Sequence, residues 1–322
     1  MNRKVLQNGS LAGSFMELTK KSGHLALFFA NLIFGLNTPI SRTIIPELID
    51  PFSLTFLRLA GSTILFWILS LFVKKETVPA KDILLLFFAS IFGIVLNQIP
   101  YIAGLSKTSP IDASLVTSLL PIITMLLAAL IIKEPVTWLK AIGVLVGASG
   151  AFILIMNSAN HNGKGSFTGD IMILMAASSY ALYLTLFKNL ISKYSPITTM
   201  KWMFLFATIM SYPVLHKSVA QTDFTSLDTS VWLRIGYVVV FATFISYLLI
   251  PIGQKTIRPT TLSMYNYMQP IVASLVAVGL GMDTFGYEKI VSTVLVFAGV
   301  YIVTQSKSRA QMELERLKNK AE

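Results

Sequence analysis

The sequence predicts an all-α integral membrane protein in which ten transmembrane helices form two inverted five-helix repeats. Three observations support this fold class. The composition is 54% hydrophobic with 13% charged residues, the apolar residues fall into ten long runs, and the second half of the chain repeats the first. A soluble domain carries about 25% charged residues, so most of this chain is suited to lipid rather than to water.

Each of the ten apolar runs is long enough for a spanning helix, which needs roughly 20 residues. Helices are expected because a helix satisfies its backbone polar groups within one segment. The runs leave no room for a soluble catalytic domain. They cover about residues 24–42, 51–73, 83–105, 111–132, 136–156, 169–190, 197–215, 230–252, 260–281 and 287–305.

The two halves match without gaps at an offset of 149 residues. With five helices in each half, the second copy crosses the membrane in the opposite sense to the first. A pair of inverted repeats can open alternately to the two sides of a membrane, which is typical of transporters. The matched pairs include Gly104 and Gly253, Pro110 and Pro259, Ser114 and Ser263, Pro121 and Pro270, Lys140 and Lys289, and Gly150 and Gly299.

The repeats divide the chain into five parts. A linker rich in Asn, Gly and Ser separates them and is prone to turns. The predicted parts are an N-terminal cytoplasmic segment 1–23, a first repeat 24–156, the linker 157–168, a second repeat 169–305 and a cytoplasmic C-terminal tail 306–322.

The basic residues predict the orientation in the membrane. Of the 26 Lys and Arg residues, 18 lie in the segments on the N-terminal side, six lie in the opposite segments, and Arg58 and Lys201 lie within helices. The positive-inside rule therefore places both termini in the cytoplasm, in a multi-pass inner-membrane protein. Basic flanks of membrane helices also explain the net charge of +11, so no nucleic-acid partner is expected.

Enzyme and metal chemistry have no recognisable basis in the sequence. The chain has no cysteine, which excludes disulfides, thiolate metal sites and cysteine nucleophiles. No HExxH or GxSxG pattern occurs, and the three histidines lie at helix ends or in loops. No cofactor, metal or catalytic residue is therefore predicted, and the oligomeric state stays open.

Polar residues at mid-membrane depth are the candidates for a binding site, because unpaired polar groups there are costly and usually face a cavity or one another. An interhelical hydrogen-bond network without a ligand is the alternative. The predicted substrate-binding residues are Asn37, Arg58, Asn97, Gln98, Tyr101, Ser118, Tyr180, Tyr183, Trp202, Tyr247, Ser263, Asn266 and Tyr267.

Two features of this set carry most of the prediction. The ninth run places Ser263, Asn266, Tyr267 and Pro270 on one helical face, a combination that can bind a small polar molecule with an apolar portion. Arg58 lies about two turns inside the second run, where a permanently charged guanidinium must meet an anion, carbonyls or water. It either binds a substrate carboxylate or phosphate, or snorkels to a membrane face.

Prolines at matching positions of the two repeats are candidate hinges. Pro121 and Pro270 each remove a backbone donor and disturb the carbonyl four residues earlier, so the two helices bend there or carry fixed kinks. Proton coupling has weak support, because no carboxylate lies deep in a helix centre. Asp112, near the start of the fourth run, is the best candidate, although its position favours an interfacial role.

Several motifs resemble those of the EamA family, within the drug/metabolite transporter superfamily, over about residues 24–305. The first-repeat motifs are Pro51 with Arg58, Tyr101–Leu105, Thr108–Pro110, Ala113–Leu115, Pro121 and Lys133–Pro135. The second-repeat motifs are Tyr247, Pro259, Tyr267 and Pro270. The second repeat has Asp283 where the first has Glu134.

The resemblance implies two inverted repeats around a central cavity, and transport of small metabolites, often export of amino acids or related compounds. We therefore expect a secondary transporter that works by alternating access. The alternatives are an exporter of drugs or organic cations, a membrane-embedded enzyme acting on a lipid intermediate, and a binding or sensory membrane component.

Overall fold

The computed structural model describes residues 3–131, 137–160, 166–256, 265–266, 268–282, 284 and 286–305. Every regular element in these ranges is a helix, which confirms the all-α prediction. Six helical stretches of the described part are long and apolar enough to cross a membrane: Lys21–Arg42, Pro51–Ser70, Ala80–Leu105, Pro110–Ile131, Phe167–Leu186 and Thr229–Gly253. The predictions for Ser263, Tyr267, Glu134, Asp283 and the tail 306–322 lie outside the described residues.

The helices of the first half are α1 (Arg3–Arg42), α2 (Pro51–Ser70), α3 (Ala80–Ser90), α4 (Leu96–Leu105), α5 (Pro110–Thr117), α6 (Leu120–Ile131) and α7 (Trp138–Asn160). The helices of the second half are α8 (Phe167–Leu186), α9 (Lys188–Lys193), α10 (Pro196–Gln221), α11 (Thr229–Gly236), α12 (Ser246–Thr256), α13 (Met268–Gly279) and α14 (Tyr287–Thr304).

Several helices begin where a capping residue precedes a proline. Asp50 precedes Pro51 at the start of α2, and Ser109 and Ser195 stand in the same place before α5 and α10. In each case the side-chain oxygen accepts a hydrogen bond from a backbone N–H of the first turn, which satisfies a donor that the helix itself cannot. Proline is suited to this position because its missing N–H would be unpaired anyway.

The third, fourth and eighth predicted runs are not uniform α-helices. A π-helical segment, Ile91–Val95, joins α3 to α4, and a second one, Tyr237–Ile245, joins α11 to α12. The fourth run breaks between α5 and α6, two residues before Pro121. Local departures from the α-helix of this kind are frequent at functional sites, and all three adjoin the cavity described below.

Helix α7 packs along α14 through glycines. A Cβ atom placed on Gly299 would lie 2.3 Å from the backbone nitrogen of Gly147 and 2.6 Å from the carbonyl oxygen of Gly143. The two backbones therefore approach too closely for any side chain, as small residues permit in lipid. Gly143 and Gly147 of α7 thus serve packing within the chain.

Polar contacts join the two halves at one end of the bundle, here named the Asp112 end. Lys289 Nζ lies 3.3 Å from Asp112 Oδ1 and 3.2 Å from Ser109 Oγ. Thr108 donates to Asp170 at 2.6 Å. Asp112 is therefore buried against a lysine at a helix start, as its interfacial position suggested, and it lies beside a large apolar cluster that includes Ile44, Ile45, Ile49, Ile111 and Val231.

A second group of contacts joins the halves at the opposite end, here named the Asp82 end. Asp82 accepts a hydrogen bond from Lys193 Nζ at 2.5 Å and another from the hydroxyl of Tyr194. Glu76 accepts bonds from the backbone N–H and the hydroxyl of Ser195, at 3.0 and 2.8 Å. Both ends of the bundle are thus held by contacts that link the first half to the second.

The Lys193 contact predicts a pH dependence of stability. The hydrogen bond to Asp82 raises the pKa of Lys193 above its ordinary value of 10.5. A raised lysine pKa adds stability at every pH below 10.5, and this stability is lost as the pH rises through the folded-state pKa. We expect Lys193→Met to lower the apparent thermal unfolding midpoint in detergent by a constant amount between about pH 7 and pH 9, and by less above about pH 10.5.

The exposed Lys217, which has no partner among the described residues, offers the matched control. Lys217→Met removes a similar charge without breaking a contact, so its midpoint should follow the wild-type midpoint at each pH. An effect of Lys193→Met that grows above pH 10.5 would contradict the assigned contact.

Candidate functional site

A cavity lies between the helices at the level of the helix breaks. It holds about 1190 Å³ of empty space, including its opening to the outside. Its wall combines apolar side chains with polar groups from both halves of the chain. The lining residues are Leu27, Asn31, Phe34, Asn37, Arg58, Asn97, Gln98, Tyr101, Ser114, Thr117, Ser118, Leu120, Ile173, Ala176, Ala177, Tyr180, Leu184, Tyr247, Ile250, Asn266, Gln269 and Pro270.

Most of the residues predicted for a binding site meet in this cavity. Those that line it are Asn37, Arg58, Asn97, Gln98, Tyr101, Ser118, Tyr180, Tyr247 and Asn266, together with the candidate hinge Pro270. They come from α1, α2, α4, α8 and α12, from the α5–α6 break and from the segment before α13. Residues far apart in sequence thus share one wall.

Two predicted residues lie elsewhere. Tyr183 is buried behind Tyr180, with ring centroids 5.5 Å apart, and lines a smaller neighbouring cleft. Trp202 packs edge-on against Trp67, with ring centroids 5.4 Å apart, and Lys201 lies over both indole rings. Trp202 is absent from the described cavity wall, as is the candidate hinge Pro121.

Arg58 is the central feature of the wall. Its side chain is 3% exposed, and its Nε donates a hydrogen bond of 3.0 Å to the hydroxyl of Thr243. Its Nη1 is buried and has no hydrogen-bond partner among the described residues. Because a buried guanidinium is costly unless its donors are satisfied, this nitrogen is suited to an anion that enters the cavity.

Other polar side chains of the wall form hydrogen bonds with neighbouring groups. Gln98 Nε2 lies 3.4 Å from the hydroxyl of Tyr247, and the hydroxyl of Tyr101 lies 2.9 Å from that of Thr38. Asn97 donates to the backbone carbonyl of Ala176 at 3.0 Å. These bonds fix the side chains, as a preorganised binding site requires.

The charge of the wall bears on the class of ligand that the cavity could hold. Arg58 is the sole charged residue among the described lining residues, and none of those residues is acidic. An anionic group would neutralise the guanidinium, whereas an organic cation that carries no anionic group would find a like charge and no carboxylate. The tyrosines and Phe34 offer surface to an apolar portion of the same ligand.

The break in the fourth run and the described residues around Pro270 in the ninth run both border the cavity. Thr117, Ser118 and Leu120 line it on one side, and Asn266 and Pro270 line it on the other. Thr117 and Asn266 are equivalent positions of the two repeats, each four residues before a proline. Interrupted helices near the membrane midplane are a common way to build a substrate site in transporters.

Sequence reasoning missed part of the wall. Leu27, Asn31 and Phe34 precede Asn37 at steps of four, three and three residues, so they occupy one face of α1. This periodicity was available in the sequence. Gln269 donates to Asn31 at 2.7 Å, while Thr243 lies in an apolar run and carries no sequence signal that links it to Arg58.

Comparison with known proteins finds one matching family and several similar transporters. The sequence model described as the EamA-like transporter family matches residues 21–156 and, separately, residues 167–305. An uncharacterized transporter of Archaeoglobus fulgidus is 26% identical over 80% of this chain and 90% of its own length. A WAT1-related protein of Arabidopsis thaliana is 23% identical over 93% of this chain and 95% of its own length.

A solved structure shares the fold. A protein chain of known crystal structure superposes on this chain with a TM-score of 0.62 at 18% sequence identity. The match covers 88% of this chain and 98% of that chain. At this identity the likeness concerns the fold alone.

Proposed function

This chain belongs to the EamA-like transporter family, and on that premise we propose that it is a secondary transporter for small carboxylate-bearing metabolites, with amino acids and related compounds as the leading class. It is a multi-pass membrane transporter rather than an enzyme, since its family and its relatives are transporters. Its partners are therefore a small-molecule substrate and the lipid bilayer.

The proposed substrate class rests on the environment of Arg58. Arg58 lines a cavity whose described wall holds no acidic residue, and its buried Nη1 has no hydrogen-bond partner among the described residues. A guanidinium suits a carboxylate because its N–H donors form charge-assisted hydrogen bonds with the carboxylate oxygens. Aromatic and amide side chains around it suit the remainder of a molecule of amino-acid size.

The proposed architecture is ten helices in two inverted repeats, 24–156 and 169–305, with both termini in the cytoplasm and the protein in the inner membrane. The double match to the family model supports this division, and so do the equivalent positions of Pro121 and Pro270 in the two halves of the sequence. We assign these two prolines as hinges, and Ser263 and Tyr267 complete the proposed binding face.

Alternating access is the proposed mechanism. Contacts at the Asp112 end and contacts at the Asp82 end both link the first half to the second. Rocking one repeat against the other would break one group while keeping the second, and the cavity would then open to one side at a time. The family resemblance favours export as the direction.

The test is counterflow in proteoliposomes loaded with an unlabelled pool. Pools of labelled amino acids, nucleosides and organic cations are compared, with empty liposomes as the background. We expect saturable counterflow of the amino-acid pool. Repeating the assay with and without a pH gradient tests whether a proton takes part.

The other outcomes are equally decisive. Counterflow of organic cations alone would overturn the carboxylate class and favour an exporter of drugs or cations. No flux from any pool by folded protein would overturn the amino-acid assignment and leave lipid-like substrates as the next class to test.

A further inference from the structure

Thr243 links the cavity arginine to an irregular part of the fold. Its hydroxyl accepts the hydrogen bond of 3.0 Å from Arg58 Nε and donates its own proton to the carbonyl oxygen of Val238 at 2.8 Å. Both partners of Thr243 are buried, and Thr243 itself is 0% exposed. The carbonyl, the hydroxyl and the guanidinium therefore form one chain of hydrogen bonds.

The π-helical segment places the hydroxyl of Thr243 so that it can bond to both Val238 and Arg58. Val238 is five residues before Thr243, and both lie in the segment Tyr237–Ile245. Because the single hydroxyl proton is directed to Val238, an oxygen lone pair remains for Arg58 Nε. Such a chain polarises its members and strengthens each bond in a buried setting. The bond from Nε orients the guanidinium, and Nη1 has no partner among the described residues.

We infer that Arg58 binds a single carboxylate of the transported molecule and that Thr243 is the positioning residue that sets the guanidinium for it. This inference rests on the proposed function, because it concerns the same cavity. With Nε taken by Thr243, the end of the guanidinium that carries the two terminal nitrogens is left for the carboxylate.

The rest of the cavity wall indicates how many negative groups the ligand carries. No second cation stands among the described residues that line the cavity. A ligand with two negative groups would bring one of them into a largely apolar site without a partner, which is costly. The site therefore favours a molecule with one carboxylate over dicarboxylates and over analogues that lack the carboxylate.

The experiment measures equilibrium binding of labelled leucine to purified protein, with leucine, leucinamide and glutamate as unlabelled competitors. Leucinamide lacks the carboxylate, and glutamate carries a second one. We expect leucine to compete at least about tenfold better than either, as expected for one lost charged hydrogen bond. Thr243→Val should raise the inhibition constant of leucine about tenfold and leave that of leucinamide unchanged, while Thr243→Ser should retain wild-type values.

A double variant separates positioning from general damage. If Thr243 acts through Arg58, Thr243→Val should add nothing in an Arg58→Gln background, because the interaction is already lost. Thr185→Val is the matched control, since Thr185 is also a buried threonine, but the one bond of its hydroxyl to the described residues goes to the carbonyl of Ala181 within α8. It should leave both inhibition constants at wild-type values.

The outcomes distinguish this inference from the proposed function. Wild-type protein that shows neither leucine binding nor counterflow of any amino acid would overturn both. If Arg58→Gln weakens leucine binding and Thr243→Val does not, the positioning role is wrong and the carboxylate site stands. Equal competition by leucine and leucinamide, or by leucine and glutamate, would overturn the single-carboxylate site even where counterflow is observed.

Discussion

Arg58→Ala is expected to abolish transport while the protein still folds. Removing one partner of a buried charge pair costs about 2–5 kcal/mol, so transport efficiency should fall by about 30-fold or more. The fold should persist because, among the described residues, Arg58 has one hydrogen bond, to Thr243. Loss of the side chain also removes the cost of holding a charge away from water. Counterflow in proteoliposomes measures the effect, with thermal unfolding of the purified variant as the folding check.

Arg42→Ala provides the control for Arg58. Arg42 is also an arginine, but it lies at the end of α1 and pairs with Glu47 and the carbonyl of Ile45, and it is not among the residues that line the cavity. Its removal should leave transport at the wild-type rate. Unchanged uptake kinetics in Arg58→Ala would remove Arg58 from the substrate site, and an equal loss in both variants would point to a general electrostatic effect.

Gly299→Ala is expected to destabilise the protein through a single methyl group. The added Cβ would lie 2.3 Å from the nitrogen and 2.5 Å from the Cα of Gly147. Both atoms belong to backbone, so neither can move aside as a flexible side chain would. Helices α7 and α14 must separate, and we expect a loss of about 1–3 kcal/mol, as for an overpacked core. The apparent unfolding midpoint in detergent should fall accordingly.

Gly236→Ala is the matched control for this prediction. It adds the same methyl group at the end of α11, where a Cβ would meet nothing within 4 Å. Alanine is favoured over glycine in a helix by about 0.5–1 kcal/mol, so the midpoint should rise slightly or stay constant. Equal decreases in the two variants would show that the α7–α14 approach is not the cause.

The helices themselves were predictable because they depend on local properties. An apolar run of sufficient length forms a helix in lipid whatever its neighbours are. The proline-led starts of α2, α5 and α10 follow from the capping residues just before them. The π-helical segments were not predictable, since Ile91–Val95 and Tyr237–Ile245 read as ordinary apolar sequence.

The cavity was predictable only in part. Burial cost alone drew attention to Arg58, Asn97, Gln98 and Tyr247, and the structure brings them together. The same criterion also selected Trp202 and Tyr183, which face other side chains instead. Polarity at membrane depth shows that a side chain needs a partner, but it does not show whether that partner is a cavity or a neighbouring ring.

The sequence by itself determined the helical membrane class, the internal repeat and the presence of a charge that had to be compensated. These features follow from the composition and from the spacing of residues. Both can be recognised within a single segment or by comparing the two repeats. The tertiary structure alone decided that Thr243 holds Arg58, that α7 meets α14 backbone to backbone, and that the described cavity wall carries one charge. Those facts depend on which helix faces join, because residues 185 positions apart can share a hydrogen bond only after the chain has packed.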